Sequence, residues 1–271
     1  PTAAFHDSSV QSRALSEAEI SDVIRAFGET TRRAIEAGFD GVELHGAHGF
    51  LIQNFFSPHY NQRQDDWGGS LAHRMRFPLA VVEEVQSVIR KHAKRPFILG
   101  YRISVEEYEE NGLRIADSLQ LIDRLIASNI DYLHVSLSDI LSSTPRGVSD
   151  QRLTILTVLD QVQERVPVIS AGSVRTPEQA SLALNLGLPL VAIGKGLIIN
   201  PEWVELAQAD QVENIASELN PDWVKALDIP DKLWERIDSN RNWFPVSQTE
   251  TAYSNRLFTR LIGDYLAHFI T

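Results

Sequence analysis

The segment DGVELHGAHGFL, residues 40–51, decides the fold because it contains a short strand that ends in two histidines, and a strand with a polar end is one half of a repeating helix–strand unit. Residues 42–44 form the strand-like run, and His45 and His48 follow it. Gly38 stands just before the segment, where it closes an amphipathic helix. The order of helix, tight turn, short strand and polar strand end is typical of one unit of a parallel α/β fold.

The same helix-then-strand unit recurs along the chain and predicts a parallel sheet covered by helices. Ser16 and Glu19 form a capping box at the start of the first helix. No G-x-G-x-x-G fingerprint follows any strand, which favours a (β/α)8 TIM barrel over a doubly wound dinucleotide fold. The remaining predicted helices cover 71–91, 115–127 and 152–164, and two more begin at Thr176 and Asn200. The predicted strands that follow the first four of these helices cover 97–103, 132–136, 166–170 and 190–193.

The number of strands sets the predicted domain organisation. A complete barrel of eight strands takes about 250 residues, yet only five strands are apparent in these 271 residues. The β/α alternation stops near Ala207, and the amphipathic stretch over 255–270 indicates a helical and loop extension. We therefore expect a partial TIM barrel over residues 1–206 and a C-terminal extension over residues 207–271.

Charge and composition narrow the classes of partner. The formal net charge of −11 disfavours nucleic acids and anionic membrane surfaces, because both attract basic proteins. The chain has no cysteine, which excludes disulfides, thiolate nucleophiles and Cys-ligated metals and fits a cytoplasmic location. No apolar run has the length of a membrane span. These properties leave a small molecule as the expected partner.

Three interpretations of the two histidines are open. As metal ligands, His45 and His48 would share one face of a helical turn, but no third ligand stands nearby. As buried histidines, they would satisfy backbone groups. As hydrogen-bond donors, they would face a substrate oxygen on which negative charge develops. Active sites of TIM barrels lie at the C-terminal ends of the strands, which is where both residues are expected.

Two further strand ends carry polar side chains. Arg102 occupies the polar end of an otherwise apolar strand, and Ser136 ends the next strand. An arginine inside a barrel is costly unless it meets an anion. Arg102 therefore pairs either with a neighbouring carboxylate or with an electron-rich cofactor ring.

The last two strands end in glycine-rich loops, SAGS at 170–173 and GKG at 194–196. Glycines allow backbone N–H groups to approach a phosphate, and the loops after the last two strands are the usual phosphate site of this fold. Lys195 would add a positive charge. The alternative is that these glycines only turn the chain between strand and helix.

The stretch HGAHGFLIQNFFSPHYNQRQDDWGGSLAHRMRF, residues 45–77, resembles the signature of the old yellow enzyme family of NADH:flavin oxidoreductases. GFDGVELH, the RIS at Arg102, SAGSVRTPEQA and AIGKGLIINPEW extend the resemblance in order as far as about residue 205. The resemblance implies a TIM barrel that carries FMN, takes hydride from NADH or NADPH and delivers it to an activated alkene or another acceptor. In the family, three βα units precede the point that Pro1 resembles. We therefore expect these five strands to be strands four to eight of an FMN-binding barrel and the chain to be a fragment of a longer protein.

By position, the resemblance also implies roles for individual residues. His45 and His48 would bind the carbonyl or nitro oxygen of the substrate, and Arg102 would hold the pyrimidine edge of the flavin. Family members are often oligomeric, so a homo-oligomer is compatible with the resemblance, and no metal is implied. The expected cofactor-binding residues are Arg102, Ser136, Ala171, Gly172, Ser173, Gly194 and Lys195.

Two departures from the family pattern bear on the chemistry. Phe50 stands where the family has the tyrosine that protonates the substrate, and Lys195 stands where it has an arginine. Because Phe50 has no proton to give, the proton comes from water or another donor, or the acceptor needs none. The preferred hypothesis is an FMN-dependent NAD(P)H oxidoreductase. The alternatives are a catalytically impaired relative or fragment that acts as a flavin- or phosphate-binding or assembly subunit, and a His-ligated metal hydrolase.

Overall fold

A computed structural model describes residues 13–149, 151–240 and 243–247. Its backbone groups into two units. Among the described residues, the first comprises 13–149, 151–173 and Leu182–Ala192, and the second comprises Val174–Ser181, 193–240 and 243–247. The division at residue 206 that the sequence predicts stays a prediction.

The first unit contains a sheet of five parallel strands in which each strand pairs with the next along the chain. This confirms the parallel α/β architecture. Strand β4 begins at Val168 and not at the predicted residue 166, because Pro167 has no N–H to donate to the sheet. The strands are β1 (Gly41–Gly46), β2 (Ile98–Ile103), β3 (Tyr132–Ser136), β4 (Val168–Ala171) and β5 (Leu190–Ala192).

Helices alternate with these strands. The capping box predicted for the first helix is present, since Ser16 and Glu19 each accept a backbone N–H from the other. The helix predicted over 71–91 is two helices, because Pro78 lacks the N–H that would continue the ladder from Arg74. No helix of the described ranges is long and apolar enough to cross a membrane. The helices are α1 (Glu17–Glu36), α2 (Leu51–Phe56), α3 (Leu71–Arg74), α4 (Arg76–His92), α5 (Ile115–Ala127), α6 (Thr154–Val162) and α7 (Pro177–Asn185).

The two faces of the sheet differ in character because successive strand residues point to opposite sides. One face packs under the helices and forms the apolar core of the unit. The other face carries the polar residues of the first three strands, in register across the sheet. The core residues of the strands are Leu44, Leu99, Tyr101, Ile103, Leu133, Val135 and Val168, all at most 4% exposed.

The second unit has a small apolar core of its own. Its helices are α8 (Lys195–Ile199), α9 (Trp203–Gln208) and α10 (Asp231–Asp238), with short 3-10 turns at Val212–Asn214 and Pro221–Trp223. A single β-bridge joins Leu219 to Val246 within the described part of this unit. The amphipathic stretch over 255–270 lies outside the described residues. The core residues are Ile199, Leu219, Val224, Ile229, Ile237, Phe244 and Val246.

Candidate functional site

Three basic side chains form a row across the polar face of the sheet, which we call the basic row. The pairing of β1 with β2 sets His45 beside Arg102, and the pairing of β2 with β3 sets Arg102 beside His134. Each has one buried nitrogen without a hydrogen-bond partner in the described part of the chain: His45 Nδ1, Arg102 Nε and His134 Nε2. Buried polar atoms are costly when unpaired. The basic row is therefore a surface that a polar ligand or water would complete.

Ser136 connects the basic row to His48. The Oγ atom of Ser136 lies 2.7 Å from Nε2 of His48 and accepts a hydrogen bond of 3.1 Å from Nη2 of Arg102. Since a guanidinium only donates, the hydroxyl proton of Ser136 is free to point at His48. We assign this geometry to a neutral His48 that accepts at Nε2 and carries its proton on Nδ1.

Both histidines of the strand end are uncharged near neutral pH. Burial, followed by the positive charge of Arg102, lowers the pKa of His48 to about 4. The same two causes, in the same order, lower the pKa of His45. The two rings meet edge to face with their centroids 5.1 Å apart. A neutral imidazole still donates one N–H, so the pair suits hydrogen bonding to a substrate oxygen.

A tight turn after β1 places His48 and Phe50. His48 has φ of 58° and Gly49 has φ of 71°, so two consecutive residues adopt the left-handed conformation that only glycine adopts without cost. The ring of Phe50 is 59% exposed, and its centroid lies 5.1 Å from that of His45. Phe50 thus lies beside the His45 ring, is largely exposed, and offers no hydroxyl to the two histidines.

An open cleft of about 460 Å³ adjoins these residues. His48 and Ser136 line its inner end, and the loops after β2 and β3 supply Tyr108 and Arg146. The guanidinium of Arg146 lies 4.6 Å from the centre of the Tyr108 ring. The cleft therefore gives a small molecule access to His48 and Ser136, whereas His45 does not line it.

In the glycine-rich loop after β4, close packing against the neighbouring backbone requires a glycine at position 172. A Cβ atom on Gly172 would lie 2.9 Å from the carbonyl oxygen of Leu137 and 3.0 Å from the amide nitrogen of Ile140. The hydroxyl of Ser173 donates to the carbonyl oxygen of Ser138 at 2.7 Å. The loop therefore packs on the segment after β3, and whether it also binds a phosphate stays a prediction. Ala171 ends β4 beside this loop.

The loop before α8 differs. A Cβ atom on Gly194 would meet nothing within 4 Å, so packing in the described structure does not require a glycine at this position. The ammonium of Lys195 donates to the carbonyl oxygen of Trp243 and lies 5.8 Å from the centre of its ring. Burial and then the charge of Arg175 lower the pKa of Lys195. A phosphate site that combines both glycine-rich loops stays a prediction.

Sequence reasoning missed two residues of the polar face, Glu43 and His134. The carboxylate of Glu43 accepts hydrogen bonds from the Tyr132 hydroxyl at 2.9 Å and from Nδ1 of His134 at 3.0 Å. Gly100 makes room for this contact, because a Cβ there would lie 2.1 Å from the Tyr132 ring. The available signal was the spacing of Glu43 two residues before His45, which puts both on one face of the strand.

Comparison with known proteins identifies the family. A family model described as the NADH:flavin oxidoreductase / NADH oxidase family matches residues 2–214. The chain belongs to this family.

Individual relatives agree with this assignment. The chain is 40% identical over 245 residues to the probable NADH-dependent flavin oxidoreductase YqiG of Bacillus subtilis, covering 90% of this chain and 66% of that protein. It is 40% identical over 236 residues to the NADH:fumarate oxidoreductase of Klebsiella pneumoniae, covering 86% of this chain and 25% of that protein. Morphinone reductase in complex with tetrahydroNAD superimposes with a TM-score of 0.58 and 28% identity over 73% of this chain and 51% of its own. The chain thus spans less than two thirds of the length of each.

Family membership confirms the predicted resemblance and, with it, the TIM-barrel fold class of the five parallel strands. It also supports the expected cofactors, FMN with NADH or NADPH as reductant. The residues present fit such a group, because the unpaired Nε of Arg102 offers a charged donor to an electron-rich ring edge. Among the described residues, no group of three or more His, Cys, Asp or Glu is arranged to hold a metal ion. The roles of individual residues stay predictions.

Proposed function

We propose that the protein is an FMN-dependent oxidoreductase that takes hydride from NADH or NADPH and passes it to an activated alkene or another small-molecule acceptor. The observation that carries this proposal is the basic row, where His45, Arg102 and His134 each keep a buried nitrogen unpaired among the described residues. Ser136, which accepts a hydrogen bond from Arg102, connects the row to the open cleft that it lines together with His48. Bound FMN would supply the redox chemistry, because its ring system accepts and releases a hydride.

Arg102 has the role of holding and polarising the cofactor. Its Nε donor is free, and its Nη2 is anchored on Ser136, so the planar fork has a fixed direction. A fixed guanidinium stabilises negative charge on a neighbouring ring in a site of low dielectric. Ala171, Gly172, Ser173, Gly194 and Lys195 complete the proposed cofactor site, with the last four at the phosphate.

His45 and His48 have the role of binding the oxygen of a carbonyl or nitro group on the acceptor. Because both rings are neutral near pH 7, each offers an N–H without the cost of burying a full charge. The Ser136 hydroxyl sets the tautomer of His48 and leaves its Nδ1–H for the acceptor. Donation to the oxygen withdraws electrons from the conjugated bond and favours attack at its far carbon.

Phe50 decides how the protonation step proceeds. A general acid contributes about 10²- to 10⁴-fold to a proton-transfer step, and Phe50 supplies none. Water in the open cleft is then the proton source, or the natural acceptor takes electrons without a carbon-bound proton. The chain matches only 25% of the NADH:fumarate oxidoreductase, so the shared part of the two proteins does not fix the acceptor.

A second candidate is a subunit that binds flavin or phosphate, or supports assembly, without turnover. The lack of a hydroxyl at Phe50 favours it.

The proposal also includes a cytoplasmic location, which a chain with no cysteine suggests, and a homo-oligomeric state.

The experiment is a visible absorption spectrum of the purified protein after addition of FMN and desalting, followed by NADH without oxygen. A retained flavin band that NADH bleaches supports the oxidoreductase. A retained band that neither NADH nor NADPH bleaches supports the second candidate. Loss of the flavin on desalting, together with no change in flavin fluorescence on titration, contradicts the oxidoreductase and a flavin-binding subunit, and leaves phosphate binding or assembly as the second candidate.

The Phe50→Tyr variant then tests the acceptor. If an enone is the natural type of acceptor, the added hydroxyl should speed reoxidation by 2-cyclohexenone while leaving bleaching by NADH unchanged. If reoxidation by the enone is equally slow in both proteins, an acceptor that needs no proton from this position is supported.

A further inference from the structure

Behind the His48 turn lies a buried carboxylate that the proposed chemistry does not use. Glu107 is 6% exposed, and both of its oxygens are occupied. Oε1 accepts a hydrogen bond of 2.7 Å from Nε2 of Gln53, and Oε2 accepts from the Ser57 hydroxyl at 2.6 Å and from the Leu113 amide at 2.9 Å. Gln53, Ser57, Glu107 and Leu113 form what we call the Glu107 cluster.

The carboxylate fixes which way the Gln53 amide points. A side-chain amide has a donor end and an acceptor end, and a carboxylate only accepts. Because Glu107 takes the NH₂ end of Gln53, the Oε1 end must face the opposite way. That oxygen accepts the backbone N–H of Gly49 at 3.1 Å. Gln53 is 4% exposed, so water does not compete for either end.

Gly49 is the centre of the turn that carries His48 and precedes Phe50. With positive φ at both His48 and Gly49, the turn adopts a conformation that the backbone alone does not favour. The turn has other anchors: the His48 amide donates to the Ser104 hydroxyl at 3.2 Å, the Phe50 amide donates to the Ala47 carbonyl at 3.2 Å, and the His48 ring contacts the Ser136 hydroxyl at 2.7 Å. The bond from Gly49 to Gln53 therefore helps to hold the imidazole in place.

We propose that Glu107 is a positioning residue for His48, acting through the orientation of the Gln53 amide on the Gly49 N–H. The assignment of His48 to acceptor binding rests on the proposed function, but the hydrogen-bond relay does not. Glu107 itself is not a catalytic acid or base, because both oxygens already accept from protein donors. Gly112 supports the relay, since a Cβ there would lie 2.7 Å from the Cβ of Glu107.

A reciprocal exchange tests the relay. Glu107→Gln places a second amide against Gln53, and Gln53→Glu places a second carboxylate against Glu107, so each single variant loses a donor–acceptor match. The double variant restores the relay: the amide introduced at position 107 donates to the carboxylate introduced at position 53, whose other oxygen accepts the Gly49 N–H. Glu110→Gln, an exposed change of the same charge in the same segment, is the matched control.

The primary readout is hydrogen exchange of the Gly49 amide, measured by NMR, which needs no cofactor or turnover. Exchange should be about tenfold faster in either single variant, the size expected for one lost hydrogen bond, and should return to the parent rate in the double variant. Glu110→Gln should leave it unchanged. The second readout is KM for 2-cyclohexenone, which should rise in the single variants and recover in the double variant, with bleaching of the flavin by NADH less affected.

The outcomes separate cleanly. A Gly49 amide that exchanges at the parent rate in Glu107→Gln overturns the relay, and so does a double variant that stays unprotected. If a single variant does not fold, a folded double variant with a protected Gly49 amide supports the relay, and an unfolded double variant contradicts it. If the parent protein is never reduced by NADH, the proposed function fails, while the exchange measurement still decides the relay.

Discussion

The Glu107 cluster and the basic row lie in the same unit and both contain buried polar atoms, yet they differ in how far their hydrogen bonds are completed. In the cluster, Glu107 receives three donors, and Gln53 uses both ends of its amide. In the basic row, His45, Arg102 and His134 each retain one buried nitrogen with no partner among the described residues.

This difference distinguishes a scaffold from a ligand face. A buried polar group with all its bonds made stabilises the fold and fixes its neighbours, whereas one with a bond missing destabilises the free protein until a ligand supplies the partner. Removing side chains from the two regions should therefore have opposite consequences for stability and for binding. The predictions below test that contrast, from the largest expected effect to the smallest.

Glu107→Ala should lower the free energy of unfolding by about 3 kcal/mol or more, because it leaves three buried donors without an acceptor. Urea denaturation of the parent and variant proteins measures the difference. Glu110→Ala, on the exposed part of the same segment, should change stability by less than about 0.5 kcal/mol. A loss below about 1 kcal/mol for Glu107→Ala would show that the cluster is not a scaffold.

Arg102→Met should behave in the reverse manner. Without ligand, stability should change by less than about 1 kcal/mol, since the loss of the hydrogen bond from Nη2 to Ser136 is offset by the removal of the buried Nε donor, which has no partner in the described structure. The Kd for FMN should rise about 30-fold, as expected for one charge-assisted hydrogen bond of about 2 kcal/mol. Flavin fluorescence titration measures the Kd, and Arg102→Lys, which keeps the charge but not the planar fork, should lie between the two. A variant that loses stability but binds FMN normally would reverse the assignment.

Glu43→Gln should have an intermediate effect on stability, because both hydrogen bonds that Glu43 accepts are made and one of them comes from His134 of the basic row. Although burial raises the pKa of Glu43, the hydrogen bond from His134 and the charges around it outweigh burial and lower the pKa overall. The stabilisation is then present above the unfolded-state pKa of about 4.3 and is lost as the pH falls below it. We expect Glu43→Gln to cost about 1–2 kcal/mol at pH 7, with the difference from the parent shrinking on acidification. A difference that does not change with pH would contradict the ionised contact.

At pH 7 the titration of His48 should give the smallest effect, because the ring is then largely uncharged in both the folded and the unfolded protein. With its pKa lowered to about 4, folded His48 stays neutral over a range in which the unfolded residue, with a pKa near about 6.5, takes up a proton. The unfolded state then binds more protons, so stability should fall as the pH drops from about 6.5 towards 4. In His48→Asn this part of the pH dependence should disappear, as thermal unfolding across the range would show. An unchanged profile would mean that His48 has an ordinary pKa.

Much of the strand-end site could be predicted because it depends on local pattern. His45 and Arg102 come at the ends of recognisable strands, and parallel strands bring such ends to one edge. Which of them find partners could not be predicted, since that depends on register and on distances between segments. The contact of Ser136 with both His48 and Arg102 needs three elements that lie far apart in sequence.

The two glycine-rich loops also show what sequence pattern alone cannot predict. SAGS and GKG look alike as loops, and nothing in their residues separates turn formation from phosphate binding. The two loops differ in packing, because Gly172 lies against the backbone of Leu137 whereas a Cβ atom on Gly194 would meet nothing within 4 Å, but this difference does not decide which of them binds a phosphate. Glu107 was equally invisible, since a single acidic residue after a strand has no periodic signal that marks it as buried.

The sequential strand order has a consequence for how the chain folds. His45 and Arg102, partners across β1 and β2, are 57 residues apart, whereas Ile169 and Leu190, partners across β4 and β5, are 21 apart. The entropic free-energy cost of closing the loop between β1 and β2 is about 1 kcal/mol larger than that of closing the loop between β4 and β5. We therefore expect the later strand pairs to assemble first and β1 to dock last, so that the histidine turn becomes ordered only after the rest of the sheet exists. Pulse-labelling hydrogen exchange during refolding would reveal this order as late protection of the β1 amides.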